Sequence, residues 1–377
     1  MSKKNQNKEN DSIIKVCIDQ NFTKTDDILR SAEVAVKENP LNVPLVKITP
    51  VAGAPPARDP FSLAVLTGTR WENGRKLRIE FLNGDEERKN KVIEIAKEWE
   101  NYANLKFDFV TEGNTDIRIA FKFNGDRGSW STLGTDALQR GQRYPTMNYG
   151  WLDPNTSDDE YDRVVLHEFG HALGAIHEHQ NPAGIIPWDK EKVYEYYMGP
   201  PNNWTKEEVD HNLFRKYSKE ITQFTELDIT SIMTYRIPNE HTIGDFEVPW
   251  NKKLSKADKE FMASIYPFET KQIIELVIGK SAQEEEIKHH NEEDFYSFSI
   301  EKKGKYSIRT QGSTDVAMGL LGPDSQTDLI DEDNDSGYAR NARIITNLEP
   351  AKYYLRIRHY QPTGTGKYKI LVEEAKK

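Results

Sequence analysis

Eleven consecutive residues constrain this chain more than any other feature: His167-Glu168-Phe169-Gly170-His171-Ala172-Leu173-Gly174-Ala175-Ile176-His177. On a helix, residues four apart lie one above the other, so His167 and His171 present two imidazoles to one point. Glu168 stands one step round, within reach of a water at that point without being a ligand itself. Gly174 accounts for the third histidine. Helices often end at a residue of positive φ, glycine adopts that conformation at least cost, and the chain then turns back to deliver His177. Three neutral imidazoles with a fourth position left for water form the donor set of a catalytic rather than a structural zinc site. The five fixed letters arise by chance in about one chain of this length in 10⁴, and bare His-Glu-x-x-His in roughly one in 50, so the extended form carries the weight.

The flanking patterns place this run in a fold. Residues 158–174 read as a helix, with Ser157, Asp158 and Asp159 suited to its N-terminus and Val164, Val165, Leu166, Phe169, Ala172 and Leu173 giving a wide apolar face. Upstream, residues 77–82, 105–110 and 116–123 alternate as strands, and Val92, Ile93, Ile95, Ala96 and Trp99 recur at helical spacing over residues 86–102. A Gly/Ser-rich loop over 125–134 and a short strand over 146–149 follow. This order predicts a mixed sheet with a helix against one face, an α+β domain. A second helix starts at Ser255 and Asp258 and stops at Pro267. Short strands over 295–300, 305–309, 353–358 and 368–372 predict a small all-β sandwich over residues 270–377. At the other end, residues 1–12 are polar, 13–18 are strand-like and 25–36 helical. Pro50, Pro55, Pro56 and Pro60 then mark a linker. The expected division is an N-terminal extension over 1–60, a catalytic domain over 61–268 and an accessory sandwich over 270–377.

Composition narrows the partners. With Lys+Arg 51 against Asp+Glu 61, the net charge of −10 argues against nucleic acid and anionic membrane. No apolar run approaches the length of a membrane span. The first ten residues carry positive charge but no apolar segment behind it, so they are not a standard signal peptide. The compartment stays open between the cytosol, export by another route, and a leader absent from this sequence. The single cysteine, Cys17, allows no intrachain disulfide. It reads either as a propeptide thiolate occupying the open zinc position or as an ordinary small buried residue, and a lone cysteine carries little motif information, which favours the second.

The long histidine motif, followed by Ser231-Ile232-Met233-Thr234-Tyr235, resembles the metzincin zinc peptidases with their methionine turn. Two details resemble the astacin family in particular: Glu178 directly after the third histidine, and a tyrosine two places after the turn methionine. The resemblance covers about residues 70–268. It implies a zinc endopeptidase with His167, His171 and His177 on the metal, Glu168 as general base, Met233 beneath the site, and Tyr235 as a switchable fifth ligand whose hydroxyl stabilises the oxyanion. It implies extended protein or peptide substrates paired to an edge strand matched by residues 116–123, a monomer, and action outside the cell. In astacins the glutamate matching Glu178 meets the new N-terminus after maturation, so cleavage within residues 50–70 would raise activity. His179 then reads as a neighbour of the ligands or a surface residue. Departures are the absence of cysteine in this domain, Ala175 where astacins have an aromatic, His179-Gln180-Asn181-Pro182 in place of an arginine-containing stretch, and Thr234 in place of histidine.

Asp294-Phe295-Tyr296, an acidic loop and Gly366-Lys367-Tyr368 resemble the bacterial pre-peptidase C-terminal domain. Asp331, Asp333 and Asp335 admit a Ca2+ loop, although Ser336 and Ala342 exclude an EF-hand, and a solvated acidic turn is the preferred reading. Two rival functions remain: a matrixin-like or serralysin-like metzincin, and a zinc-stabilised binding protein with little catalysis.

Overall fold

The alternating runs ahead of the histidine motif pair into one sheet in the computed structural model, which describes Cys17 and residues 25–43, 68–181, 184–200, 202–216, 227–268, 273–280 and 284–375. The strands are β1 (Lys76–Phe81), β2 (Lys106–Phe109), β3 (Ile117–Phe121), β4 (Ser129–Ser131) and β5 (Met147–Tyr149), in the spatial order β2-β1-β3-β5-β4. All neighbours are parallel except β4, which runs antiparallel to β5. Helix α2 (Glu86–Ala96) and the histidine-bearing α3 (Asp158–Ala172) pack against this sheet. Val92, Trp99, Ile119, Met147, Val165 and Phe169 meet in the shared core. The α+β expectation holds. The strand-like run over 13–18, apart from Cys17, and the proline-rich linker lie outside the described residues.

Residues 116–123 do not form the edge. β3 is paired on both sides, Ile79 with Ile117 and Ile119 with Met147, and its five residues are all buried. The edges are β2 and β4, and β4 lies inside the stretch expected to be a loop. The alternation in β3 misleads because Arg118, which reads as solvent-facing, is fully buried. Its guanidinium donates to the carbonyls of Thr115, Tyr144, Ala137 and Arg140 at 2.7–3.0 Å. Those four acceptors offset the desolvation of the cation and hold the connection into β5.

The N-terminal helix α1 (Thr25–Glu38) lies on the short helical turn Gly134–Gln139. The Ser31 hydroxyl donates to Asp136. Beyond the helix, Asn42 bonds both ways with the Arg70 backbone, at 2.8 and 2.9 Å, and its carbonyl accepts from Gly68 N at 3.0 Å.

Past the histidine motif, α4 (Lys190–Met198), α5 (Lys206–Val209) and α6 (Lys256–Ile265) complete the helices. α6 opens with a capping box, and its Asp258 does more than cap. Besides Ser255 N at 2.8 Å, the carboxylate accepts from Ser231 Oγ at 2.6 Å and Ile232 N at 2.8 Å, fastening the 231–235 turn. No described helix is long and apolar enough to cross a membrane.

The C-terminal part is the expected sandwich. One sheet has the order β11 (Leu329–Asp333), β10 (Val316–Leu321), β13 (Ala351–His359), β8 (Glu293–Ile300), β6 (Ile274–Glu275). The other has β12 (Arg343–Leu348), β9 (Gly304–Gly312), β14 (Gly366–Glu374), β7 (Glu284–Ile287). Tyr296, Phe298, Leu320, Leu355 and Ile370 fill the space between them. The two motifs noted in the sequence meet there: Tyr368 Oη donates to Asp294 Oδ2 at 2.6 Å and lies 2.6 Å from Tyr296 Oη. The acidic run is not a loop throughout. Asp331 and Asp333 lie in edge strand β11, two residues apart and so on one face, and Asp333 accepts from the backbone of Ser336 and Arg343. Among the described residues these carboxylates form no group close enough to share an ion, so nothing supports the Ca2+ expectation.

Two predictions follow from these ties. Asp258→Ala leaves buried donors on the 231–235 turn without their acceptor, at about 1–3 kcal/mol for each. A clear fall in the thermal midpoint is expected, and an unchanged midpoint would refute the anchoring role. Asp136 is enclosed by α1, and burial pushes its carboxyl up to about 6, against the Ser31 bond and Arg140, which pull it down. An acid raised in the fold contributes stability below its unfolded value near 3.8, and that contribution is lost as pH rises through about 6. The midpoint of Asp136→Asn should therefore gain on wild type between pH 4 and 6.5 and run parallel to it above. Parallel curves throughout would exclude the enclosed acid.

Candidate metal centre

Helix α3 begins at Ser157, whose side chain caps Glu160 N, and carries Asp158, Asp159 and Glu160 in its first turn, where the helix dipole favours negative charge. It ends as the sequence predicts. Gly174 has φ +97°, Gly174 N bonds His171 O at 2.8 Å, and Ala175 N bonds Gly170 O at 2.9 Å, which together make a Schellman motif. The reversed chain then brings His177 back over the helix.

The three histidines converge. Their Nε2 atoms are 3.2 Å (His167–His177), 3.2 Å (His167–His171) and 3.0 Å (His171–His177) apart, and all three side chains are buried. Donors bonded to one tetrahedral zinc at ~2.0–2.1 Å lie ~3.3 Å from one another, so the triangle fits that ion. The opposite ring nitrogens are held by the backbone. His167 Nδ1 lies 2.7 Å from Ile232 O, and His171 Nδ1 lies 2.8 Å from Ala175 O. A proton on each Nδ1 leaves Nε2 with its lone pair toward the centre. Burial first, then the neighbouring rings of His171 and His177, push His167 well below the ordinary histidine pKa, keeping it neutral.

The surrounding residues come from both directions along the chain. Glu168 is fully buried beside the triad. Met233 packs where a side chain on Gly170 would stand: a Cβ there would lie 2.3 Å from its sulfur. Gly170, not singled out in the sequence, thus leaves room for the methionine beneath the helix, and its lack of a side chain inside a helix is the signal that could have found it. Met233 O accepts from Glu178 N at 3.0 Å, joining the turn to the segment just past His177. The Tyr235 ring lies 4.3 Å from that of His177 and 4.4 Å from that of His179. His179 is buried, not on the surface, and its Nε2 lies 2.7 Å from Asn212 O.

Glu178 faces away from the triad into a cavity also lined by Asp228, Asp258, Asn181, Ser231 and Met233. It accepts from Asn181 Nδ2 at 2.8 Å and Asp228 N at 3.1 Å, and burial pushes its carboxyl up to about 7 despite those bonds.

Cys17 is buried in one cluster with Tyr235, its carbonyl accepts from Tyr235 Oη, and burial first, then the charge of nearby Glu168, push its thiol well above the usual range. Nothing in the sequence links positions so far apart, which is why a lone cysteine gave no signal there.

A family model described as Matrixin matches residues 71–198, and one described as the bacterial pre-peptidase C-terminal domain matches residues 292–359. Among solved structures, that of myroilysin is 48% identical, covering 54% of this chain and 97% of that one with a TM-score of 0.52. Zinc metalloproteinase dpy-31 of Caenorhabditis elegans is 28% identical over 210 residues, 52% of this chain and 32% of that protein. Interstitial collagenase of Bos taurus is 32% identical over 130 residues, 31% of this chain and 28% of that protein. The chain thus spans about a third of the length of the curated relatives it matches. The matrixin match takes in the sheet and the histidine helix but stops before the turn that carries Met233 and Tyr235. With the converging triad, the turn beneath it and the likeness to myroilysin along nearly all of that chain, this chain belongs to the metzincin zinc metallopeptidases, as an astacin-like member with a pre-peptidase C-terminal domain behind its peptidase domain.

Proposed function

We propose that the chain is a zinc endopeptidase in which His167, His171 and His177 hold the ion through Nε2, Glu168 is the general base and Tyr235 supplies a hydrogen bond to the oxyanion. The observation that carries this reading is the triangle of Nε2 atoms 3.0–3.2 Å apart with a buried carboxylate beside it. Zinc bound there supplies Lewis acidity, lowering the pKa of water and polarising the scissile carbonyl. Glu168 takes the proton of the attacking water and hands it to the leaving amine. Tyr235, its ring against those of His177 and His179, turns its hydroxyl to the developing oxyanion. Extended substrate pairs with the free side of edge strand β4, so that backbone hydrogen bonds position the scissile bond. The reading carries with it a monomeric enzyme acting on proteins outside the cell. Casein hydrolysis by wild type and Glu168→Gln, each with and without chelator, tests it. Both proteins should bind one zinc, and only metal-loaded wild type should hydrolyse. Equal hydrolysis by the two would sink the assignment.

The same geometry supports latency. Cys17 is bonded through its carbonyl to Tyr235 and stands near Glu168, the two residues assigned to catalysis, and its thiolate would be a ligand for the open zinc position. Glu178, Asp228 and Asp258 around one cavity form a seat for an ammonium, such as the N-terminus made by cleavage within residues 50–70. Uncleaved wild type should hydrolyse casein poorly, while Cys17→Ala, or cleavage in that stretch followed by loss of the N-terminal piece, should raise the rate at least tenfold. Full activity in the uncleaved wild type would refute latency.

A further inference from the structure

We infer that the C-terminal sandwich forms a binding site for the N-terminal segment, in which Arg356, aimed by Glu293, grips the Val43 carbonyl. Arg356 stands on β13 between Leu355 and Ile357, whose side chains fill the sandwich core, so its own side chain leaves on the opposite face. An arginine on an outer face is ordinarily exposed, yet this one is buried. Its fork explains how. Nε and Nη2 donate to the two Glu293 oxygens at 3.0 and 2.8 Å, and Nη1 donates to Val43 O at 2.7 Å. Glu293 fixes the plane of the guanidinium and leaves one donor pointing at a backbone acceptor.

A third domain element completes the site. Arg70, just ahead of the catalytic sheet, donates through Nη2 to Leu41 O, and its Nη1 lies 3.8 Å from Glu293. The carboxylate is thus shared between an arginine of the sandwich and one of the catalytic domain, and each arginine holds a carbonyl of the same short turn. Burial would raise Glu293, but Arg356 and Arg70 keep it below the usual glutamate range. The ligand class is a peptide backbone offering two carbonyls two residues apart, and the occupant is residues 41–43 of this chain. Because Asn42 is also bonded to Gly68 and Arg70, cutting the chain between residues 44 and 67 leaves the segment docked. Its release then requires the arginines to let go. The site rests on these contacts alone, and only its consequence for latency rests on the role given to Cys17.

The test uses the full chain with a specific-protease site placed between residues 44 and 67 and a fluorophore on the N-terminal piece. After cutting and dilution, release of that piece is followed by gel filtration. Wild type should retain it, whereas Arg356→Gln should release it roughly 10- to 100-fold faster, as expected for loss of one charged hydrogen bond. Glu293→Gln with Arg356→Gln, which removes both members of that ion pair while Arg70 keeps its bond to Leu41 O, should behave likewise if the single variant folds poorly. A second arm needs no substitution: peptide 25–43 should bind cut, stripped wild type at least tenfold more tightly than peptide 25–40. Equal release rates, or equal binding of the two peptides, would overturn the site. Since no substrate is involved, either outcome is independent of whether the peptidase assignment survives.

Discussion

Three imidazole nitrogens 3.0–3.2 Å apart, buried together, are the constraint on which the rest of the catalytic domain depends. Lone pairs so close repel unless a cation lies between them, and water is excluded from the rings. The arrangement therefore has to be imposed by backbone: the Ile232 carbonyl on His167, the Ala175 carbonyl on His171, and the Schellman turn that returns His177. Ile232 is in turn held by Asp258 at the start of a helix far along the chain. The order of causation runs from a helix cap, through a turn, to the tautomer of a ligand.

Much of this was legible in the sequence. The helix, its ending at Gly174 and the convergence of His167, His171 and His177 follow from local spacing, because each depends on residues within a helical turn or two, whereas the turn around Met233 was read from the resemblance to the metzincins. The sandwich was legible from alternation. What was not legible depends on contacts across long stretches of chain. Asp258 reads as a cap residue, and nothing nearby says that it also fastens residues 231 and 232. Arg118 reads as the polar side of a strand, and its burial is decided by the Thr115 carbonyl and three carbonyls from a loop. Strand β4 is too short, and too rich in serine, to stand out from the Gly/Ser stretch that contains it. Cys17 had no motif to place it against Glu168.

The N-terminal extension is joined to the rest by polar contacts at several separate points: Ser31 with Asp136, Asn39 with Trp71, Asn42 with Arg70, Val43 with Arg356. Polar docking of this kind holds a segment in one register, since each donor must meet its own acceptor. Apolar burial adds to it at Cys17, Ala35 and Val43.

The hydrogen bonds of Arg118 all go to main-chain oxygens. As far as these bonds hold it, the loop's path is independent of most of its amino-acid identities. Over evolutionary time, residues there are free to drift and to reshape the wall that an incoming polypeptide meets, while one internal cation preserves the course of the loop.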